Sequence, residues 1–443
     1  MVAPNDQAVW HLFLMIFQRR ELTSFVIPRS WKSLLLLLDS ISWSAQMQWG
    51  MAMGFFDFPT VSPLVKSVCP SRRSRLEAFG GILSILFSLS LATASGPSLG
   101  RIQGEAMGMS YRCLLAGGIA EADKERLGEM IRLELARMES IFSLYRDDSE
   151  LSRWNAKRST EWLDVSDEIL TLFLRAEDLW KKTSGSFDPT IRPLARLWGF
   201  GEIQTQWQPP SKDQIEQVRG LVGMDRIEAR LSPPALRKEI GELELDLNAL
   251  VEGFALQRIA DLLIALNRKH FLIELGGEFT AAGTDGNGQP WTIALESPSG
   301  GIAGRVRLRN QSISSSGTYR NKKVFQGEEF PHLLDAKKGY PIKSPVELVS
   351  VLSASPLESD GWATALQLVP RDQMIVLARD QKIACCWFDR EKKSFDCSEA
   401  WLEQVDGFSP AVSRNPWIYG CFFGFLAMII SLASIRLLYL VQQ

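Results

Sequence analysis

The sequence predicts a mixed α/β or α+β domain over residues 95–410, and two observations predict it. Apolar residues recur at helical spacing in three long segments. Shorter alternating or β-branched runs lie between turn signals. No internal repeat or low-complexity tract breaks this region.

The first helix is expected over Glu121–Ile141, where Leu127, Ile131, Leu135, Met138 and Ile141 form one apolar stripe. The second runs over Asp167–Thr183 through Ile169, Leu170, Phe173, Ala176 and Leu179-Trp180. The third runs over Val251–Leu266 through Phe254, Ile259, Leu262 and Leu263. Strands are expected at His270–Glu274, Trp291–Glu296, Gly304–Arg309, Val346–Ala354 and Lys382–Phe388, with Asp285-Gly286-Asn287-Gly288 as one of the separating turns.

Composition narrows the function. The chain has 443 residues, 46% hydrophobic and 23% charged, which excludes a low-hydrophobicity disordered protein. Its 49 basic and 51 acidic residues give a net charge of −2, unlike a generally basic nucleic-acid binder. Three histidines exclude a His-rich metal site. The six cysteines show no CxxC pair or zinc spacing, and adjacent Cys385-Cys386 read as part of a buried strand rather than a disulfide framework.

Both ends differ from the middle. Basic Ser71–Arg75, the apolar run Phe79–Leu91 and Ala92-Thr93-Ala94 follow the order of a secretory signal peptide, expected over residues 71–94. Residues 1–70 precede it as an N-terminal extension of uncertain origin. Trp417 to Ile435 holds no charged residue, and residues 417–441 are expected to form a transmembrane helix. Arg436 suits its cytoplasmic end. Together the two ends predict a catalytic domain on the extracytoplasmic side of the cytoplasmic membrane, with its tail inside.

Several central segments carry polar chemistry, each with an ordinary structural alternative. Ser184–Thr190 packs small residues, an acid and a proline into a turn that can offer amides to a phosphate, or can simply turn. Gly276-Gly277-Glu278 follows a strand and suits close approach to a ligand or a tight turn equally. Ser314–Tyr319 reads as a polar loop after a strand, without the lysine and spacing of a P-loop. His332 lies near Asp335 and the turn residues Gly339-Tyr340-Pro341. Asp360 and Thr364, at the start of a helical segment, share a face and offer hard oxygen ligands; a helix cap and a core filler are the plainer roles.

Taken in order, these segments resemble the FAD:protein FMN transferase family, ApbE. The resemblance runs from about Met107 to Glu399. It opens on Met107-Gly108-Met109 and the tyrosine-containing stretch Phe142–Asn155. Ser186-Phe187-Asp188-Pro189-Thr190, continuing through Leu197-Trp198-Gly199-Phe200-Gly201, is its most distinctive part. Leu245–Ala255, Gly276-Gly277-Glu278, Ser315–Tyr319, Pro331–Asp335 and Asp360–Thr364 follow.

The resemblance implies a single α+β, T-fold-related catalytic domain that moves FMN from FAD onto a threonine or serine of a target protein, releasing AMP, with magnesium. It implies FAD contacts from Met107, Tyr145, Ser186, Phe187, Asp188, Asp246, Glu252 and Leu334. It implies magnesium ligation by Asp360, Thr364 and the Ala249 carbonyl. The implied partners are exported flavoprotein subunits of membrane redox complexes. His332 is positioned to deprotonate the acceptor hydroxyl or to organise the site with Asp335. Three departures from the family pattern stand out. Glu252 stands where many relatives have lysine, Ala363 where some have a second acid, and Ala336 with Lys337-Lys338 where Pro-x-Thr is usual. An FAD pyrophosphatase and a non-catalytic flavin-binding membrane protein are the competing functions.

Overall fold

The computed structural model describes residues 99–201 and 207–405. The expected extension, signal peptide and membrane helix lie outside them. Among the described residues no helix is long and apolar enough to cross a membrane.

A hairpin opens the domain, β1 (Leu99–Ala106) and β2 (Met109–Ala116). Helices α1 (Glu121–Phe142) and α2 (Glu150–Ala156), the short β3 (Leu163–Asp164) and α3 (Asp167–Lys182) follow. Short helices α4 (Arg192–Leu197) and α5 (Lys212–Arg219) lead to β4 (Ile227–Arg230) and β5 (Ala235–Lys238). Helix α6 (Asn248–Ala265) precedes β6 (Phe271–Leu275), β7 (Glu278–Ala282), β8 (Trp291–Glu296), β9 (Ile302–Leu308) and β10 (Gln311–Gly317). The small hairpins β11–β12 (Lys322–Phe325, Glu328–Pro331) and β13–β14 (Leu334–Asp335, Tyr340–Pro341) come next. The chain then runs through β15 (Val346–Ser353), α7 (Pro356–Leu368), α8 (Arg371–Asp380), β16 (Ala384–Asp389), β17 (Ser394–Cys397) and α9 (Glu399–Gln404).

The main sheet has eight strands in the order β1-β2-β6-β7-β10-β15-β16-β17, all pairs antiparallel. Strand alternation divides its residues between two cores. Ile273, Val351 and Cys385 face the first core with α1, α3, α6 and α7. Leu272, Leu352 and Cys386 face the second, with the β8–β9 hairpin and α9. A smaller apolar cluster gathers around Trp198, whose indole N–H donates to the Gly339 carbonyl.

The three long helices stand where their periodicity puts them. All five stripe residues of α1 are buried, and α3 buries Ile169, Leu170, Phe173, Ala176 and Leu179. Ser166 caps α3 by accepting from the Ile169 N–H. Two expectations are corrected. Ser314–Gly317 belong to strand β10 rather than a loop, because their backbone pairs with Leu348–Val351 of β15 and two of the hydroxyls find partners: Ser314 Oγ donates to Glu278, and Ser315 Oγ shares a hydrogen bond with Ser350 Oγ. Helix α7 starts at Pro356 with Ser355 as its cap, so Asp360 lies one turn inside the helix and is not the cap.

Candidate active site

A cavity of about 980 Å³ opens among the start of α6, the Ser186–Pro189 turn, the β6–β7 turn, the end of β10, His332 and α7. That volume sits at the upper end of the roughly 300–1,000 Å³ typical of small-molecule sites. Eleven of the twelve residues singled out in the sequence line it: Tyr145, Ser186, Phe187, Asp188, Asp246, Ala249, Glu252, His332, Leu334, Asp360 and Thr364. Met107 does not; it forms the β1–β2 turn with φ 55° and packs against the first core.

The Ser186–Pro189 turn is built by left-handed backbone at Ser184 and Gly185, with Phe187 N–H held by Thr183 Oγ1. Asp188 is committed to that scaffold: its carboxylate accepts from the Thr190 N–H and hydroxyl and from the Met224 N–H. Burial nevertheless raises it above the ordinary carboxylate range. Asn155 grips both peptide groups of Leu245, at 2.9 and 2.7 Å, and so fixes the backbone entering Asp246. Asp246 then accepts from the Asn248 N–H at 3.0 Å, at an α6 N-terminus whose cap position, Leu247, has no side chain to do so.

Asp360 and Thr364 share the cavity face of α7, as their spacing requires, while Trp362, Ala363, Ala365 and Leu366 pack into the first core. Ala363 is 1% exposed, so a second acid there would point into apolar packing rather than toward the cavity. Asp360 Oδ2 accepts from the Gly253 N–H at 2.7 Å. In a helix that N–H points at the carbonyl four residues back, so the Asp360 carboxylate stands beside the Ala249 carbonyl.

Glu278 completes a cluster of acids. It shares a hydrogen bond with Asp360 and accepts from Ser314 Oγ, which in turn contacts Ser359 Oγ. Burial, and then the Glu252 charge, push Glu278 up to about 8. Burial alone raises Glu252 to about 7. Asp360 is raised well above its ordinary value by burial, then by Glu278 and Glu252. Gly276, at φ 63°, lets the β6–β7 turn close over this cluster; a Cβ there would meet Glu252 Oε2 at 2.7 Å.

His332 Nδ1 lies 3.0 Å from the Asn321 carbonyl. A carbonyl only accepts, so Nδ1 carries the proton and Nε2 keeps its lone pair. Burial lowers the ring's pKa below the usual value and favours the neutral form. The expected partnership with Asp335 is not formed. Asp335 instead accepts from the Lys337 and Lys338 N–H groups and the Lys338 ammonium, closing its own turn.

Arg192 and Arg196, one turn apart on α4, also line the cavity and are both held by Glu244. Neither these arginines nor Glu278 carried a role in the sequence reading. Their signals were an i,i+4 pair of cations and an acid placed directly after two glycines.

Among the described residues no three His, Cys, Asp or Glu side chains are arranged to hold a metal ion. The hard-oxygen set present is Asp360, the Thr364 hydroxyl and the Ala249 carbonyl. It fits a divalent cation that leaves positions for phosphate oxygens. Three mutually repelling acids around it are the kind of negative surroundings that such a cation relieves.

Fold and site together define a flavin transferase, as solved structures indicate. A structure titled flavin transferase ApbE from Vibrio cholerae superposes with TM-score 0.64 at 28% identity, over 70% of this chain and 100% of that one. The Pseudomonas stutzeri flavinyl transferase ApbE, in its apo form, gives 0.64 at 30% identity, over 70% and 98%. The family described as the ApbE family matches residues 107–387, and this chain belongs to it. Curated relatives named FAD:protein FMN transferase include one from Haemophilus influenzae, 30% identical over 72% of this chain and 95% of its own length. One from Vibrio cholerae is 31% identical over 64% and 85%.

Proposed function

We propose that the chain is a magnesium-dependent FAD:protein FMN transferase that moves FMN from FAD to a threonine or serine hydroxyl of an acceptor protein and releases AMP. The observation that carries this reading is the meeting of Asp360, the Ala249 carbonyl and Thr364 in one cavity with a neutral His332.

The chain's own residues divide the work. Tyr145, Ser186, Phe187, Asp246, Glu252 and Leu334 line the space for FAD, and Arg192 and Arg196 add positive charge near its phosphates. Asp360, Thr364 and the Ala249 carbonyl would hold the cation, which when bound supplies charge neutralisation at the pyrophosphate. His332 Nε2 takes the proton of the acceptor hydroxyl as the oxygen attacks the FMN phosphorus. The bond to the AMP phosphate breaks, and AMP leaves.

We further propose that the catalytic domain works outside the cytoplasmic membrane, held by the 417–441 segment, on exported flavoprotein subunits of membrane redox complexes. The export and span patterns of the sequence support this placement.

The test incubates the purified protein with FAD, magnesium and a threonine-bearing acceptor domain. Covalent FMN mass on the acceptor with equimolar AMP is expected. AMP and FMN without adduct would make the chain a pyrophosphatase; flavin binding without turnover would make it a binding protein.

A further inference from the structure

We propose that Cys386 and Cys397 form a cross-strand disulfide that clamps the edge strand β17, and with it α9, to the main sheet. The two residues are direct partners in the antiparallel β16–β17 pair. Direct partners in such a pair stand about 4.5–5.5 Å apart at Cα, inside the roughly 4.4–6.8 Å that a disulfide spans. Both are free thiols, and they already share a hydrogen bond. Sheet alternation resolves the vicinal pair: Cys386 faces the second core beside Cys397, while Cys385 faces the first.

The two thiols differ in a way that orders the chemistry. Cys386 is fully buried and its thiol is pushed up by burial. Cys397 sits half-buried on the edge strand, and the hydrogen bond from Cys386 lowers its thiol. Cys397 is therefore the attacking thiolate. It attacks one sulfur of a disulfide donor, a small-molecule disulfide or an oxidised protein dithiol. The donor's S–S bond breaks, one donor thiolate leaves and a mixed disulfide forms. Cys386 then loses its proton and displaces the second donor thiolate. Two protein thiols are oxidised, and one donor disulfide is reduced to two thiols. The extracytoplasmic placement predicted from the sequence is a setting where such a bond persists.

The position suits a clamp. Strand β17 has a single neighbour in the sheet. Just beyond it, Ser398 Oγ donates to the Ile383 carbonyl and caps α9, and Trp401 of α9 is fully buried in the same core as Cys386.

The test uses the detergent-solubilised full chain, reduced, then treated with oxidised glutathione, alkylated, digested with trypsin and read by mass spectrometry without reductant. The expected product joins the Ile383–Arg390 peptide to the peptide beginning at Ser394, two hydrogens lighter than their sum, and is lost on reduction. The oxidised protein should melt roughly 5–10 °C higher. Cys385→Ala should keep both effects, and Cys397→Ser, at a half-buried position, should lose both. Alkyl label on both Cys386 and Cys397, a glutathione adduct left on Cys397, or a link through Cys385 would overturn the proposal. A correct link with no rise in melting temperature would overturn the clamp.

Discussion

The Gly253 N–H donates to Asp360 Oδ2 at 2.7 Å, across the contact between α6 and α7. The contact depends on a missing side chain. A Cβ at position 253 would stand 2.4 Å from the Pro356 carbonyl oxygen and 2.6 Å from the Asp360 Cβ. Neither neighbour is the free end of a flexible side chain, so the helices must part. Gly253→Ala should cost about 1–3 kcal/mol of stability. It should also carry Asp360 away from the Ala249 carbonyl and slow FMN transfer by on the order of 10²-fold. Urea titration and a flavinylation assay read the two effects, and wild-type values in both would show that the close approach is dispensable.

Asp360→Asn separates function from stability. Asp360 is buried beside two other acids, so its charge opposes folding when no cation is present. The amide keeps the volume and still accepts from Gly253. Without divalent cation the variant should melt at or above the wild-type temperature. Transfer and its magnesium dependence should both disappear. A variant that flavinylates an acceptor at the normal rate would remove Asp360 from the reaction.

Much of this was legible in the sequence, for physical reasons that can be named. The α1 and α3 stripes were readable because local periodicity and burial agree at Leu127, Ile131, Leu135, Met138 and Ile141 and at Ile169, Leu170, Phe173, Ala176 and Leu179. The shared face of Asp360 and Thr364 followed from helical geometry alone. The misreadings arose where tertiary contacts decide. Ser314–Gly317 look like a loop because serines are poor strand formers in isolation, yet the Ser314 and Ser315 hydroxyls find partners once β7, β15 and α7 assemble. Sequence proximity suggested His332 with Asp335, but the chain turns between them and the acid is satisfied by its own loop. Glu278 meets Asp360 across a separation no local pattern encodes.

His332→Ala should lower transfer by about 10²–10⁴-fold, the range for a lost general base. The pH profile is the sharper readout. A base acts when deprotonated, so activity should rise as pH rises through its pKa. Burial lowers that pKa, which puts the acidic limb below the ordinary histidine value of 6.5. A limb centred above 6.5, or one that survives in His332→Ala, would assign the base elsewhere.

The acid cluster makes a prediction about stability that needs no turnover. Glu252 and Glu278 are raised from an ordinary 4.5 to about 7 and about 8 in the folded protein. Between about pH 4.5 and 8 the folded state therefore holds more protons than the unfolded one. The share of stability set by these two acids must fall as pH rises through that window, by about 1.4 kcal/mol per pH unit for each proton so linked. The depressed His332 acts in the opposite sense below its ordinary 6.5, so the decline is cleanest above that value. Carboxylates that are depressed by ion pairs, such as Glu134, act in the opposite sense but at lower pH, so they leave the upper window undisturbed. Urea midpoints measured in chelator from pH 5 to 8 should decline, and Glu278→Gln should flatten the decline because it removes a buried charge without emptying its space. Added magnesium should stabilise more at pH 8 than at pH 5, since a cation binds the ionised cluster and competes with its protons. A flat profile in chelator would mean that the three acids are not coupled through burial, and the electrostatic case for a cation at Asp360 would go with it.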